Sequence, residues 1–185
     1  MKFLYIDKNI DYDGTQLSPH WIYKNFNLMG DAICSFVGKV DVKLEKMVDI
    51  EDVINNEPIY SEAMLNFIVE FFGIGLSEGV LRQRLLVTTI KETLEKYAGK
   101  RIIRLGDDIF VDDKKLSVSI ATTSSNSVLI HTALNLRSEN TPIPVSTLND
   151  NCNITNIKQF ANEVMTSYTE EIEDIYFAAC KVRGV

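Results

Sequence analysis

The sequence of 185 residues lacks the features that define several large classes of protein. No apolar run approaches the length of about 18 residues that a membrane span needs, and the short apolar stretch at 3–6 does not resemble a signal peptide. The three cysteines, Cys34, Cys152 and Cys180, lie far apart, and only two histidines are present. Neither a disulfide framework nor a zinc-ligand pattern is therefore indicated. We expect a cytoplasmic protein with reduced thiols and no membrane partner.

Positive charge is also scarce, because 19 Lys and Arg stand against 26 Asp and Glu and give a net charge of −7. This balance disfavours a nucleic-acid partner, since phosphate backbones are bound by basic faces. Glycine-rich phosphate loops of the GxxxxGK[ST] and GxGxxG types are absent, as are GxSxG and HExxH motifs. If a nucleotide binds, it is held by residues other than a glycine-rich phosphate loop.

Strand-like and helix-like segments occur in separate runs, which predicts an α+β fold with a central, mostly antiparallel sheet flanked by helices. We expect a single domain spanning 1–185, with a bend at Gly38 and a tight hairpin at Asp112–Asp113. Strands are predicted at 3–6, 32–42, 102–105, 108–112, 115–123 and 127–136. Helices are predicted from Ser18 to Gly30, from Ser61 to Gly73, from Ser77 to Tyr97 and at 157–179, and a short acidic helix or a turn is predicted at 47–56.

The stretch DDIFVDDKKLSVSIA (107–121), followed by VLIHTALNL (128–136), resembles the central part of the biotin and lipoate protein ligases. The resemblance places Lys115 on that family's active-site lysine, Asp108 on the aspartate before the strand, and Asn135 on the asparagine that ends the later strand. It implies that Lys115 contacts a carboxylate and an α-phosphate while an acyl-adenylate forms, where a fixed cation offsets the negative charge. ATP and magnesium are the implied cofactors.

Two departures from the ligase pattern are visible. Val118 stands where the ligases have a glycine after the lysine motif, and residues 17–36 stand where they have an arginine- and glycine-rich adenylate loop. The departures motivate a second interpretation, in which the fold is kept without the ligase chemistry.

The whole chain resembles an archaeal family known as domain of unknown function 366. The stretches that carry this resemblance are DGTQLSPHW (13–21), GDAICSFVG (30–38), MVDIED (47–52), FIVEFF (67–72) and LRQRLL (81–86). It implies a biotin/lipoate-ligase-like fold with helices packed on one side of the sheet, as also in the class II aminoacyl-tRNA synthetases. It implies no activity.

Lys115 has two interpretations that the sequence leaves open. A lysine at the end of a hairpin protects a sheet edge from aggregation, whereas the ligase resemblance makes it an anion contact. Lys114 should point to the opposite face and be solvated. His131, within an apolar strand, is more typical of a core histidine than of a ligand.

Further candidate site residues lie near helix starts and in loops. Gln16 and His20 precede a helix N-terminus, where anions bind favourably, so they either orient a substrate or serve as surface and capping residues. Arg82 and Arg84 point in different directions on one helix, and one drawn inward would grip a phosphate or carboxylate. The acidic group of Asp31, Asp49, Glu51 and Asp52 either binds magnesium or caps helices.

The function predicted from these observations is a small-molecule site of the ATP-dependent acyl-adenylating type, which takes a carboxylate or a nucleotide. The alternative is a non-catalytic relative that binds a metabolite or a protein partner, either alone or as a homo-oligomer. A third hypothesis, RNA contact, rests on analogy with the synthetase fold alone, and the net charge of −7 opposes it.

Overall fold

A computed structural model describes every residue from 1 to 185. The strands are β1 (Lys2–Tyr5), β2 (Ala32–Val42), β3 (Ile59–Phe72), β4 (Ile103–Leu105), β5 (Asp108–Val111), β6 (Lys114–Lys115), β7 (Ser117–Thr123) and β8 (Ser127–Asn135). The α-helices are α1 (Trp21–Phe26), α2 (Ile50–Asn55), α3 (Leu76–Ala98), α4 (Leu148–Cys152) and α5 (Ile157–Cys180). A short 3-10 helix, Leu44–Lys46, precedes α2.

The main sheet has five strands in the order β1-β2-β3-β8-β7. Its β1–β2 pair is parallel and the other three pairs are antiparallel. A second, antiparallel sheet is formed by β4, β5 and β6. The predicted α+β class with a mostly antiparallel sheet is confirmed.

The third strand occupies a segment for which we predicted a helix starting after Ser61, and that prediction is wrong. Side chains alternate between the two faces of β3, and both faces are buried because this strand is central in the sheet. A strand buried on both sides is a continuous apolar run, whose periodicity does not distinguish it from a buried helix. The side chains of β3 that pack toward α3 and α5 are Leu65, Phe67, Val69 and Phe71, and Met64 and Ile68 pack on the other face.

The two faces of the main sheet carry separate cores. The larger core lies under α3 and α5, where Tyr168 and Phe160 are fully buried and the Tyr168 hydroxyl donates to the Arg82 carbonyl at 3.0 Å. The smaller core lies on the opposite face, under α1 and the segment that contains Tyr12. Only part of this second face is covered, which leaves room for a cleft.

The ends of several elements differ from the prediction. Helix α1 begins after His20 rather than Ser18, and ends before Asn27 in the left-handed region rather than at Gly30. Helix α3 begins after Gly75, two residues before the predicted cap Ser77, and its predicted end at Gly99 is confirmed. Neither of the N-caps of these two helices, His20 and Gly75, makes a side-chain capping bond, so the hydroxyl-cap signals at Ser18 and Ser77 did not mark the helix starts.

Other local predictions are confirmed. The β2–β3 pairing register shifts between Gly38 and Val40, where a bend was expected. The hairpin between β5 and β6 turns at Asp112 and Asp113, which both adopt positive φ, 50° and 59°.

All three cysteines are free thiols, and only Cys180 is exposed. No helix of the protein combines the length and the apolar character that crossing a membrane requires.

Candidate functional site: a cleft beside Lys115

A cleft of about 530 Å³ opens on the face of the main sheet that α3 and α5 leave free. Its floor is formed by the ends of β3, β7 and β8. Its walls come from distant parts of the chain, namely 12–17, 42–61, 107–108 and 141–145. The cleft is therefore a product of the tertiary fold, although its floor follows from the strand pairing.

Lys115 lines this cleft. Its Nζ lies 2.9 Å from Oδ1 of Asp108, and both side chains are about one third exposed, 33% and 30%. The short strand β6 is held from both sides, because it pairs with β5 and the Ser146 amide donates to the Lys115 carbonyl at 3.0 Å. Lys114 is exposed, as predicted from the alternation of side chains. The ammonium of Lys115 is thus fixed at a cavity rather than left in solvent.

Asn135 also lines the cleft, at the end of β8. Its side-chain amide donates to the carbonyl of Leu116 at 3.1 Å, and its backbone amide donates to the same carbonyl at 3.0 Å. Asn135 therefore fixes the backbone that directly follows Lys115.

A stack of Tyr12 on His131 forms the inner part of the cleft. Their ring centroids are 3.7 Å apart with an interplanar angle of 15°, and Nε2 of His131 lies 3.0 Å from Oδ1 of Asn66. Burial lowers the pKa of His131 to about 3, so its ring is neutral at neutral pH. The prediction of a core histidine is confirmed, although its ring also borders the cleft.

His20, Asp31 and Arg82 lie at the opposite end of the sheet, away from the cleft. The start of β2 pairs there with the end of β3, as in the pair Ala32 and Glu70. Asp31 accepts from the Phe72 amide at 2.9 Å. These side chains were predicted to share a site with Lys115, but the sheet separates them from it.

The three residues of this far end have local partners. The buried Glu70 carboxylate accepts from the His20 amide, at 2.8 and 3.1 Å, and from the Ser127 hydroxyl at 2.7 Å. Arg82 packs its guanidinium 4.3 Å from the ring centroid of Phe71 and pairs with Glu78. Each of them therefore stabilises the fold where it stands.

Gln16 and Arg84 lie close to the cleft without lining it. Gln16 closes the loop before α1, since its side chain donates to the Asp11 carbonyl and accepts from the Asp13 amide. Nη1 of Arg84 lies 3.1 Å from Oδ1 of Asp107, a residue of the cleft wall. Of the eight predicted site residues, the structure brings together Lys115, Asp108 and Asn135.

A family model described as a domain of unknown function, DUF366, matches residues 1–183. The chain belongs to the DUF366 family. An uncharacterised protein of Methanocaldococcus jannaschii is 36% identical over 181 residues, which are 95% of this chain and 81% of the relative. A protein of unknown function from Pyrococcus horikoshi is also 36% identical, and the two structures cover each other fully with a TM-score of 0.92.

The DUF366 fold is also similar to the fold of the biotin and lipoate ligases. The biotin protein ligase from Aquifex aeolicus, in complex with biotin and ATP, matches with a TM-score of 0.60 at 14% identity. The match covers 93% of this chain and 70% of the ligase chain. Lipoate-protein ligase A bound with ATP matches with a TM-score of 0.59 at 15% identity, and the match covers 94% of this chain and 86% of the ligase chain. At these identities the likeness concerns the fold.

Several residues of this DUF366 cleft were not singled out from the sequence. Tyr12 follows the first strand in a turn-like segment, where an aromatic residue carries no motif. Gln83 is buried in α3 and does not line the cleft, but its amide donates to two residues that do, Asp107 and Ser119. Asp107 stood beside the predicted Asp108 and was passed over. Tyr12 and Asp107 are far apart in sequence, and only the tertiary fold places both on the cleft.

Proposed function

We propose that the cleft binds a small carboxylic acid whose anionic group contacts Lys115, and that the protein activates this acid with ATP as an acyl-adenylate. The observation that carries the proposal is the position of the Lys115 ammonium, which is fixed at the wall of a cleft in a sheet of the biotin/lipoate-ligase type. A fixed cation can offset the charge that develops when two anions are joined.

The acidic residues of the cleft determine the form in which a nucleotide can enter. Acidic side chains outnumber lysines there, so a bare triphosphate would be repelled, whereas a magnesium-bound one carries less charge. Magnesium is bound in proteins through one or two carboxylates together with substrate phosphates. Asp49 and Asp108 at the cleft wall are carboxylates suited to that role.

The test is a calorimetric titration of Mg·ATP into the wild type, Lys115→Ala and Lys114→Ala. Loss of one charge-assisted contact to phosphate should weaken binding by about tenfold or more in Lys115→Ala. Lys114→Ala is a matched control, because the neighbouring lysine is exposed outside the cleft, and it should bind as the wild type does. Equal affinities for Lys115→Ala and the wild type would refute the proposed role of Lys115.

A second candidate function is a non-catalytic relative that binds a metabolite or a protein partner, alone or as a homo-oligomer. Both lysines of the cleft are already ion-paired, Lys115 with Asp108 and Lys46 with Asp13 at 2.6 Å, which favours this candidate. It predicts no heat on adding Mg·ATP to any of the three proteins. Light scattering would then give the informative property, the oligomeric state.

A further inference from the structure

The charges that line the cleft do not balance. The acidic residues are Asp49, Asp52, Glu57, Asp107 and Asp108, and the basic residues are Lys46 and Lys115. Both lysines are ion-paired, Lys115 with Asp108 and Lys46 with Asp13. Asp107 is ion-paired with Arg84, which lies outside the cleft. The remaining carboxylates lie on one wall, the one formed by α2 and its flanking residues.

Asp52 lines the same cleft as Lys115, on the wall formed by α2. It is partly buried on α2, and its side chain has neither an ion-pair partner nor a hydrogen-bond partner within the chain. Burial raises the pKa of Asp52, the nearby Asp49 and Glu57 raise it further, and Lys115 opposes them. The position of Asp52 therefore favours an added positive charge next to Lys115.

The inner end of the cleft has a different character. Tyr12 is only 4% exposed and lines the cleft, and its hydroxyl makes no hydrogen bond within the chain. The ring under it is the neutral His131. An uncharged part of a ligand, with a polar atom for the hydroxyl of Tyr12, fits this end.

We propose that the acid bound in the cleft is an amino acid in the general sense, a molecule with both a carboxylate and an amine. The carboxylate contacts Lys115, the ammonium contacts Asp52, and the uncharged body extends toward Tyr12. A plain carboxylic acid would add a negative charge to a cleft that already has an excess of them, whereas a zwitterion adds none. The proposal rests on the proposed function, since it names the substrate class of the same site.

A bare metal ion is a weaker explanation of the acidic wall. No group of three or more potential ligand side chains is arranged to hold one. An ammonium needs only one carboxylate at hydrogen-bond distance, which Asp52 supplies.

The experiment compares amino acids with the same molecules stripped of one charge. Leucine, methionine and phenylalanine are titrated against their deamino acids, 4-methylpentanoic, 4-(methylthio)butanoic and 3-phenylpropanoic acid, and against their decarboxylated amines. Binding is measured by calorimetry in the presence of Mg·ATP for the wild type, Asp52→Asn and Lys115→Ala. Glu51→Gln is the matched control, because Glu51 is an exposed acid on the same helix that does not line the cleft.

We expect at least one amino acid to bind the wild type about tenfold or more tightly than its deamino acid, which corresponds to one charge-assisted hydrogen bond. Asp52→Asn should remove this preference without weakening the binding of the deamino acid, whose repulsion by the cleft it lessens, and Glu51→Gln should keep the preference. Lys115→Ala should weaken the binding of both kinds of acid.

Three results would overturn the inference, and they separate it from the proposed function. Deamino acids that bind as tightly as amino acids, with an affinity that depends on Lys115, would leave the proposed function standing and refute the zwitterion. A loss of Mg·ATP affinity in Asp52→Asn, equal for all acids, would make Asp52 a metal contact. Absence of binding by every acid would refute both.

Discussion

Among single residues, His131 shows how burial in the sheet sets a chemical property. Its ring is 3% exposed, lies under Tyr12 and is held through Nε2 by Asn66. Burial disfavours the charged imidazolium and lowers the pKa to about 3. The folded protein therefore binds fewer protons than the unfolded chain when the pH lies between that value and the ordinary histidine pKa.

The stability of the protein should consequently fall as the pH falls below about 6.5, because the unfolded state gains a proton on His131 that the folded state does not. At pH 5 the cost from this residue is about 2 kcal/mol. In His131→Gln the free energy of unfolding should change less between pH 7 and pH 5. Urea denaturation at both pH values measures the free energy of unfolding. If this free energy changed equally with pH in the two proteins, His131 would be protonated in the folded state.

The neighbouring lysines illustrate how much of the site single residues reveal. Alternation along a strand was enough to predict that Lys114 is solvated and that Lys115 points elsewhere. It was not enough to show what Lys115 faces. That depends on Asp108 across the hairpin and on α2 and 141–145, which form the opposite walls.

At the scale of elements, the β5–β6 hairpin is specified by its turn. Asp112 and Asp113 both adopt positive φ, the conformation of the two-residue turns that fit the twist of paired strands. Asp112 is also tied to Lys100, with both carboxylate oxygens at 2.8 Å from Nζ, and to Asn151 at 3.0 Å. The same turn positions Lys115, so its stability bears on the cleft.

Asp113→Gly should stabilise the protein by about 0.5 kcal/mol, because glycine adopts positive φ without the steric cost of a Cβ atom. Asp112→Gly is the control, since it relieves the same strain but loses the contacts with Lys100 and Asn151. The midpoint of urea denaturation should rise in the first variant and not in the second. A lower midpoint for Asp113→Gly would mean that the Asp113 side chain stabilises the turn.

Strand β3 is the element whose prediction failed, and the reason is its place in the sheet. Strands were correctly predicted near 103–105, 108–111 and 127–135, whereas the single strand predicted at 115–123 is divided at Leu116 between β6 and β7, which belong to different sheets. Residues 64–71 are buried on both faces of the sheet, because β2 and β8 pair with β3 on either side and a core covers each face. Their sequence is equally compatible with a buried helix and a buried strand, and only the pairing with β2 and β8 makes the segment a strand.

At the scale of the whole molecule, Gly38 of β2 is a point where the segment 6–12, which covers the second face of the sheet, passes close to the sheet. A Cβ atom at Gly38 would lie 1.8 Å from the carbonyl oxygen of Ile10. The same segment continues to Tyr12, whose amide donates to the Lys39 carbonyl at 2.7 Å and whose ring stacks on His131. Close approach at Gly38 therefore helps to set the inner end of the cleft.

Gly38→Ala should destabilise the protein by about 2 kcal/mol or more, because the backbone of the covering segment must move. Gly75→Ala is the control, since nothing lies within 4 Å of a Cβ atom there, and it should cost less than about 1 kcal/mol. The free energy of unfolding in urea measures both. Equal effects of the two substitutions would show that the 6–12 segment shifts without cost.

The sequence by itself determined the class of the fold, the positions of most strands along the chain, the tight hairpin and the two long helices, because these depend on local periodicity, turn chemistry and capping. It also brought Lys115, Asp108 and Asn135 into one candidate site through the resemblance to the ligases. Tertiary structure alone decided that β3 is a central strand, that Tyr12 and Asp52 border the cleft, and that His20, Asp31 and Arg82 lie at the far end of the sheet. The physical reason is that strand pairing and packing join residues that are distant in sequence, and no local pattern encodes which segments meet.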